Sequence, residues 1–397
     1  MNSSLMSVYA RAPLAFERGD GVWLHPSDGG PPYLDCVAGV ASNALGHCHP
    51  VLVEALAAQA RKLWHVSNMF EVPEQNALAA RLTGACFADT VFFTNSGTEA
   101  VECAIKVARR YHAAKGAPER QTVIGFSGAF HGRTYGALNA AGNAAHLEGF
   151  GERMPGFVQL AIDNWQEAAK AIADPRTAAV MIEPVQGEGG ARVMLEPFLR
   201  KLRQACSLRG VLLIHDEVQS GMGRTGKLFA HQWHEDVAPD IMAVAKALGS
   251  GFPVGACLAT HAAASGMASG SHGSTFGGNP LGMAVAIAAF DEIANPETMA
   301  HVSAVAAELR EGLKELAQAY PEVIAEIRGK GLLIGVRMVP ENRAFIAAAR
   351  AQRLLVAAGG DNCIRLLPPL TLTFAEADAV LERMERACRA MPTAAAA

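Results

Sequence analysis

Apolar residues fall along this chain in two alternating patterns. Short runs read as strands: Thr90-Val-Phe-Phe-Thr94, Thr122-Val-Ile-Gly-Phe126, Ala178-Ala-Val-Met-Ile-Glu183, Val211-Leu-Leu-Ile-His-Asp216 and Ile241-Met-Ala-Val-Ala245. Helical stretches separate them, and repeated strand and helix predicts an α/β domain with a large, mostly parallel sheet over residues 51–285. Pro50 opens its first helix, with Leu52, Leu56, Ala60 and Leu63 on one face. Residues 1–50 hold only short strand-like pieces, Gly21-Val-Trp-Leu-His25 and Pro32-Tyr-Leu-Asp35, and read as an arm and part of a small domain. After Pro296 the pattern changes. Met299, Val302, Val305, Leu309, Leu313 and Leu316 mark a long amphipathic helix, followed by strand candidates Gly331-Leu-Leu-Ile-Gly-Val336 and Cys363-Ile-Arg-Leu-Leu367. A last helix starts at Thr373, whose capping box is completed by Glu376. Residues 286–397 therefore predict a smaller α+β domain ending in a frayed tail, Thr393 to Ala397.

Composition narrows the class of protein. With 397 residues, half of them hydrophobic, the chain can bury a sizeable core in two or three structural parts. A net charge of -4 argues against nucleic acid or an anionic membrane as partner. The segment Met1 to Gly21 has no apolar stretch flanked by basic residues, and no run elsewhere approaches a membrane span. Eight scattered cysteines without a Cys-x-x-Cys pair point to reduced thiols and a cytoplasmic protein.

Thirty residues separate Asp216, at the end of one strand, from Lys246, at the end of the next. Neighbouring parallel strands would bring both to the sheet's carboxyl edge, where open α/β sheets bind their ligands. A carboxylate beside a buried amine meets the needs of pyridoxal phosphate: the carboxylate keeps the pyridine nitrogen protonated and the lysine forms a Schiff base. A surface lysine satisfies the spacing equally well.

Further motifs carry candidate chemistry. In Thr94-Asn-Ser-Gly-Thr-Glu-Ala100, Ser96 and Glu99 form a capping box at a helix start that can cup a phosphate or simply be a capped helix. Gly128-Ala-Phe-His-Gly-Arg133 offers a ring for stacking and a guanidinium for a carboxylate, or is an ordinary loop. Glu183-Pro-Val-Gln-Gly-Glu-Gly-Gly190 concentrates acidic residues and glycines at a strand end. Gly221-Met-Gly-Arg-Thr-Gly226 matches a dinucleotide fingerprint, and Gly221 to Lys227 most of a P-loop. Leu228, however, supplies no hydroxyl for magnesium, and Asp216 to Ser220 intervene after the strand. Gly46-His-Cys-His-Pro50 crowds possible metal ligands but no distant pair completes a tetrahedral site, so no metal is expected.

The set Asn95-Ser-Gly-Thr-Glu-Ala100, Ala129-Phe-His-Gly-Arg133, Glu183 to Gly190, Asp216-Glu-Val-Gln219, Ala245-Lys-Ala-Leu248, Gly273-Ser-Thr-Phe276 and Gly277-Gly-Asn-Pro280 resembles the class III pyridoxal phosphate aminotransferases, the acetylornithine branch in particular, from about Tyr9 to Met391. The resemblance implies the fold type I, aspartate aminotransferase-like architecture and a homodimer with sites at the subunit interface. It implies pyridoxal 5'-phosphate on Lys246, with Asp216 at the pyridine nitrogen and Gly97, Thr98 and the partner's copy of Thr275 at the phosphate. Phe130 would stack on the ring and Gln219 approach its hydroxyl, with Ser96, Glu217 and Val218 also counted as cofactor-binding. Arg133 and Ser274 would contact acylornithine, Arg365 the α-carboxylate of glutamate, and Glu188 would pair with Arg365 when an amine enters. The implied reaction moves the terminal amine of N2-acetylornithine to 2-oxoglutarate in arginine biosynthesis. Ornithine aminotransferases carry a tyrosine where this chain has Val40, and an apolar residue suits an acylated nitrogen better than an ammonium. Succinyl-diaminopimelate, succinylornithine, ornithine and 4-aminobutyrate are the alternative donors, an aminomutase on the same scaffold is a more distant enzyme, and a catalytically silent binding protein is the alternative of another class.

Overall fold

The computed structural model describes residues 4–392, so the expected tail at 393–397 lies outside the described residues. Its centre is a seven-stranded sheet in the order Thr90–Thr94, Gly255–Ala259, Ile241–Val244, Leu212–Asp216, Thr177–Ile182, Thr122–Phe126, Phe157–Leu160. Every neighbouring pair is parallel except those made by Gly255–Ala259, which runs against both of its neighbours. The five predicted strands are present. Two more, Phe157–Leu160 and Gly255–Ala259, were not anticipated.

Burial on both faces explains the continuous apolar runs. Ile214 packs under Ala100, Ala104 and Ala108 of the helix Gly97–Ala114, while Leu213 turns to the opposite face and meets Phe198 and Leu202 of the helix Glu196–Arg209. Small side chains along the first helix let it lie close to the sheet. The strand Thr90–Thr94 runs directly into it, so its amino end sits at the sheet's carboxyl edge, where Gly97 and Thr98 line the cleft.

The remaining strands form two four-stranded sheets and one short hairpin. Ile324–Lys330, an unpredicted strand, pairs with Leu333–Met338, which in turn pairs with Cys363–Leu366. Phe16–Asp20, Trp23–Pro26 and Tyr33–Asp35 form another sheet with Leu354–Leu355, so both ends of the sequence share one sheet. The helix from Pro50 stops at Ala60, leaving Leu63 outside it and exposed, because the chain turns before the expected stripe is complete. The long helix spans Pro296–Ala319 with Val302, Val305, Leu309 and Leu313 buried. At Thr373 the reciprocal capping box with Glu376 forms. At Ser96 only half of the box does: Ser96 Oγ accepts from the Glu99 N–H, but the Glu99 carboxylate accepts from the Asn95 N–H instead.

Candidate active site

Strand register brings Asp216 opposite Ala243, and three residues later the chain reaches Lys246. Both line one cavity of ≈ 400 Å³, together with Ser96, Gly97, Thr98, Phe130, Arg133, Glu183, Glu188, Val218 and Gln219. Lys246 is held at φ 49, a left-handed backbone that a side chain-bearing residue adopts only under constraint from its surroundings. The strand Ile241–Val244 has just ended, and the N–H groups of Gly249 and Ser250 close back on the Lys246 carbonyl.

A buried charge cluster surrounds the lysine. Asp216 Oδ1 accepts the Val218 N–H at 3.0 Å and its Oδ2 meets His131 Nδ1 at 2.7 Å. Burial alone would lower the pKa of His131, but the hydrogen bond and charge of Asp216, with the charge of Glu183, raise it above the ordinary histidine value. Burial lowers Lys246 to about 8, against the opposing pull of Asp216 and Glu183. A lysine so placed is partly a neutral amine near physiological pH, able to act as nucleophile or base. Arg365, its side chain 3% exposed, does not itself line the cavity but stands behind Glu188 and Gln219, donating to Glu188 at 2.8 Å and to the Ala358 carbonyl. Glu188, 39% exposed, remains open to solvent.

The family model for class-III aminotransferases matches residues 6–388 of this geometry's chain. The chain belongs to the class-III aminotransferases. Among relatives of this aminotransferase, acetylornithine aminotransferase 2 of Caulobacter vibrioides is 58% identical over 99% of this chain and 97% of its own length. Acetylornithine aminotransferase of Mesorhizobium japonicum is 54% identical, covering 99% of this chain and 98% of its own. The solved N-acetylornithine aminotransferase of Stenotrophomonas maltophilia superposes with a TM-score of 0.84 at 37% identity, over 96% of this chain and 97% of that one. Ornithine aminotransferase of Toxoplasma gondii superposes with a TM-score of 0.91 at 31% identity, over 98% and 93%. Backbone shape therefore does not separate the two substrate types; side chains must.

The cofactor of this aminotransferase is pyridoxal 5'-phosphate, and the cleft fits it. Lys246 would supply the amine and buried Asp216 a carboxylate for the ring nitrogen, while the helix start at Gly97 and Thr98 offers N–H groups that no helical carbonyl satisfies. Glycines keep this cradle open: a Cβ on Gly97 would come within 2.6 Å of Val218 Cγ1, and one on Gly132 would strike Thr98. His131 Nε2 is a buried polar atom that has no hydrogen-bond partner among the described residues. When bound, the cofactor supplies an electron sink for cleavage of a substrate C–H bond.

The other expected residues divide by position. Gln219 lines the cavity and its Oε1 lies 3.5 Å from Arg365 Nη1. Arg133 is exposed, 5.6 Å over the Phe130 ring, and touches His146. Glu217 faces elsewhere, because its carboxylate is occupied by the N–H groups of Ala230 and His231. Ser274 and Thr275 do not line the cavity within the single chain: Ser274 Oγ joins Asn95 and the Gly277 N–H, and Thr275 is exposed. Two cavity groups, His131 and Glu183, had no role assigned by the motifs; the signal was their position inside motifs already singled out. Arg224, in the glycine-rich stretch, is 1% exposed and donates to the carbonyls of Leu332 and Pro368. That stretch is a structural turn and opens no long helix, since the next regular element is the short 3-10 helix Ala230–Trp233. His47 pairs with Asp35 at 2.9 Å.

Proposed function

We propose that this enzyme transfers the terminal amine of N2-acetylornithine to 2-oxoglutarate, giving N-acetylglutamate 5-semialdehyde and glutamate. The observation that carries the reading is the Glu188–Arg365 pair: a buried guanidinium masked by a carboxylate that still reaches solvent. Masked, Arg365 presents no charge to an approaching amine; unmasked, it binds a carboxylate of glutamate or 2-oxoglutarate through a charge-assisted fork. One cleft thereby accepts two unlike substrates in turn. Lys246 Nζ, released as a neutral amine, moves the proton from the substrate carbon, and Asp216 holds the ring nitrogen's proton. Phe130 and Val218, which line the cavity, would flank the ring, and Gly97 and Thr98 would hold the phosphate.

Relatives above half identity support the acyl substrate. Val40 is half-buried against an apolar cluster with Val185, Leu333 and Leu367 and does not line the cavity within the single chain. Arg133 and Ser274 complete the acylornithine contacts in this reading. The chain divides at about residues 50 and 285, the whole seven-stranded sheet falling between. A second copy of the chain brings Thr275 to the phosphate. Supporting that, Trp64, Met69, Phe70 and Phe276 are exposed by 59% or more and gather beside Thr275, where Asn68 ties the segments through the Ser274 and Gly277 carbonyls. Cytoplasmic residence agrees with eight free cysteines, and among the described residues no helix is long and apolar enough to cross a membrane. A panel of amine donors with 2-oxoglutarate tests the substrate: N2-acetylornithine should have the highest kcat/KM. Preference for ornithine, succinyl-diaminopimelate, succinylornithine or 4-aminobutyrate would replace it.

A further inference from the structure

Two loops that carry different parts of the site are joined by one carboxylate. Glu183, 5% exposed, uses Oε1 to accept the Phe130 N–H at 2.7 Å and Oε2 to accept the Gly187 N–H at 3.1 Å. Phe130 lies in the loop that flanks the ring site, and Gly187 precedes Glu188, the mask over Arg365. The loops also touch directly. Gln186 Nε2 donates to the Ser127 carbonyl at 3.0 Å, and a Cβ on Gly189 would come within 2.7 Å of the Gly128 carbonyl oxygen.

Resting on the functional reading above, we propose that Glu183 is a positioning residue that sets the Phe130 ring and the Glu188 mask as one unit. Its carboxylate is suited to this because it offers two acceptor oxygens to two N–H groups, that of Gly187 buried and that of Phe130 part-buried. Burial and the neighbouring charge of Asp216 push its pKa up to about 7, with His131 and the two N–H groups opposing. Glutamine at this position has only one acceptor, and its amide nitrogen would face the other N–H.

The test is Glu183→Gln in the full-length holoenzyme, read by amide hydrogen exchange and by circular dichroism of the bound cofactor's visible band. Exchange should quicken by about tenfold in peptides covering both 128–133 and 185–190 while the sheet strands keep their protection. The visible signal per bound cofactor should fall, and the KM for 2-oxoglutarate should rise more than kcat falls. Unchanged exchange in either loop, or faster exchange spread evenly over the chain, would overturn the proposal. Should that variant not fold, Glu183→Asp, which keeps both acceptors on a shorter arm, is measured with the same readouts and the same two outcomes. A parent protein that takes up no pyridoxal phosphate would sink the functional reading, and the exchange result would still decide whether Glu183 joins the loops.

Discussion

In the apoprotein the amine of Lys246 should titrate near pH 8, where burial places it, and not at the ordinary lysine value of 10.5. The consequence is large. At pH 7 an amine with a pKa of 8 is neutral in about one molecule in eleven, whereas one with the ordinary value is neutral in about one in three thousand, a difference of about 300-fold in reactive amine. Competitive labelling with a trace of isotopic acetic anhydride, read from the peptide containing Lys246 across pH 6 to 11, measures that fraction. Asp216→Asn supplies the perturbation: the carboxylate favours the ammonium, so replacing it by an amide of the same shape should move the midpoint below the parent value. A parent midpoint at 10 or above, or a midpoint that rises in Asp216→Asn, would refute the argument that burial and Asp216 together set the lysine.

Other consequences follow from the same geometry. Borohydride reduction of the holoprotein should fix the cofactor to Lys246, and peptide mapping that finds it on another lysine would remove the assignment. Glu188→Gln leaves the Arg365 charge unmasked, so the acylornithine half-reaction should slow by about tenfold or more while the glutamate half-reaction is kept or improved; equal losses in single-turnover absorbance would make Glu188 merely structural. Gly97→Ala, whose Cβ would come within 2.6 Å of Val218, should weaken pyridoxal phosphate binding by about tenfold, and the overlap with this short branched side chain should lower the melting temperature as well. Unaltered affinity in a fluorescence titration would show that the Gly97–Val218 contact does not shape the cradle. Sedimentation should give twice the chain mass of 41.7 kDa, and a monomer that remains fully active would remove Thr275 from the site.

Much of the large sheet was legible because strands buried on both faces read as unbroken apolar runs, as at Val211 to Asp216. Gly255–Ala259 escaped notice because Gly-Ala-Cys-Leu-Ala lacks the β-branched and aromatic residues that mark a strand, and tertiary pairing with two neighbours supplies what propensity does not. Phe157–Leu160 is a short edge strand paired on one side only. At the site, Asp216 and Lys246 could be placed together from strand ends and spacing. His131 and Glu183 could not, since their partners lie 85 and 53 residues away along the sequence, at Asp216 and Phe130, and only the folded loops bring them together. Glu217 shows the converse: it sits in a motif beside Asp216, but one residue past the strand's end its carboxylate is taken by the N–H groups of Ala230 and His231.

The most direct test of the central claim is a stepwise spectral titration of the purified protein loaded with pyridoxal phosphate, without turnover. Addition of N2-acetylornithine alone should bleach the visible band in proportion to the sites present, and 2-oxoglutarate should then restore it with one glutamate formed per site. A band that N2-acetylornithine leaves unchanged while ornithine or 4-aminobutyrate bleaches it would contradict the proposed function.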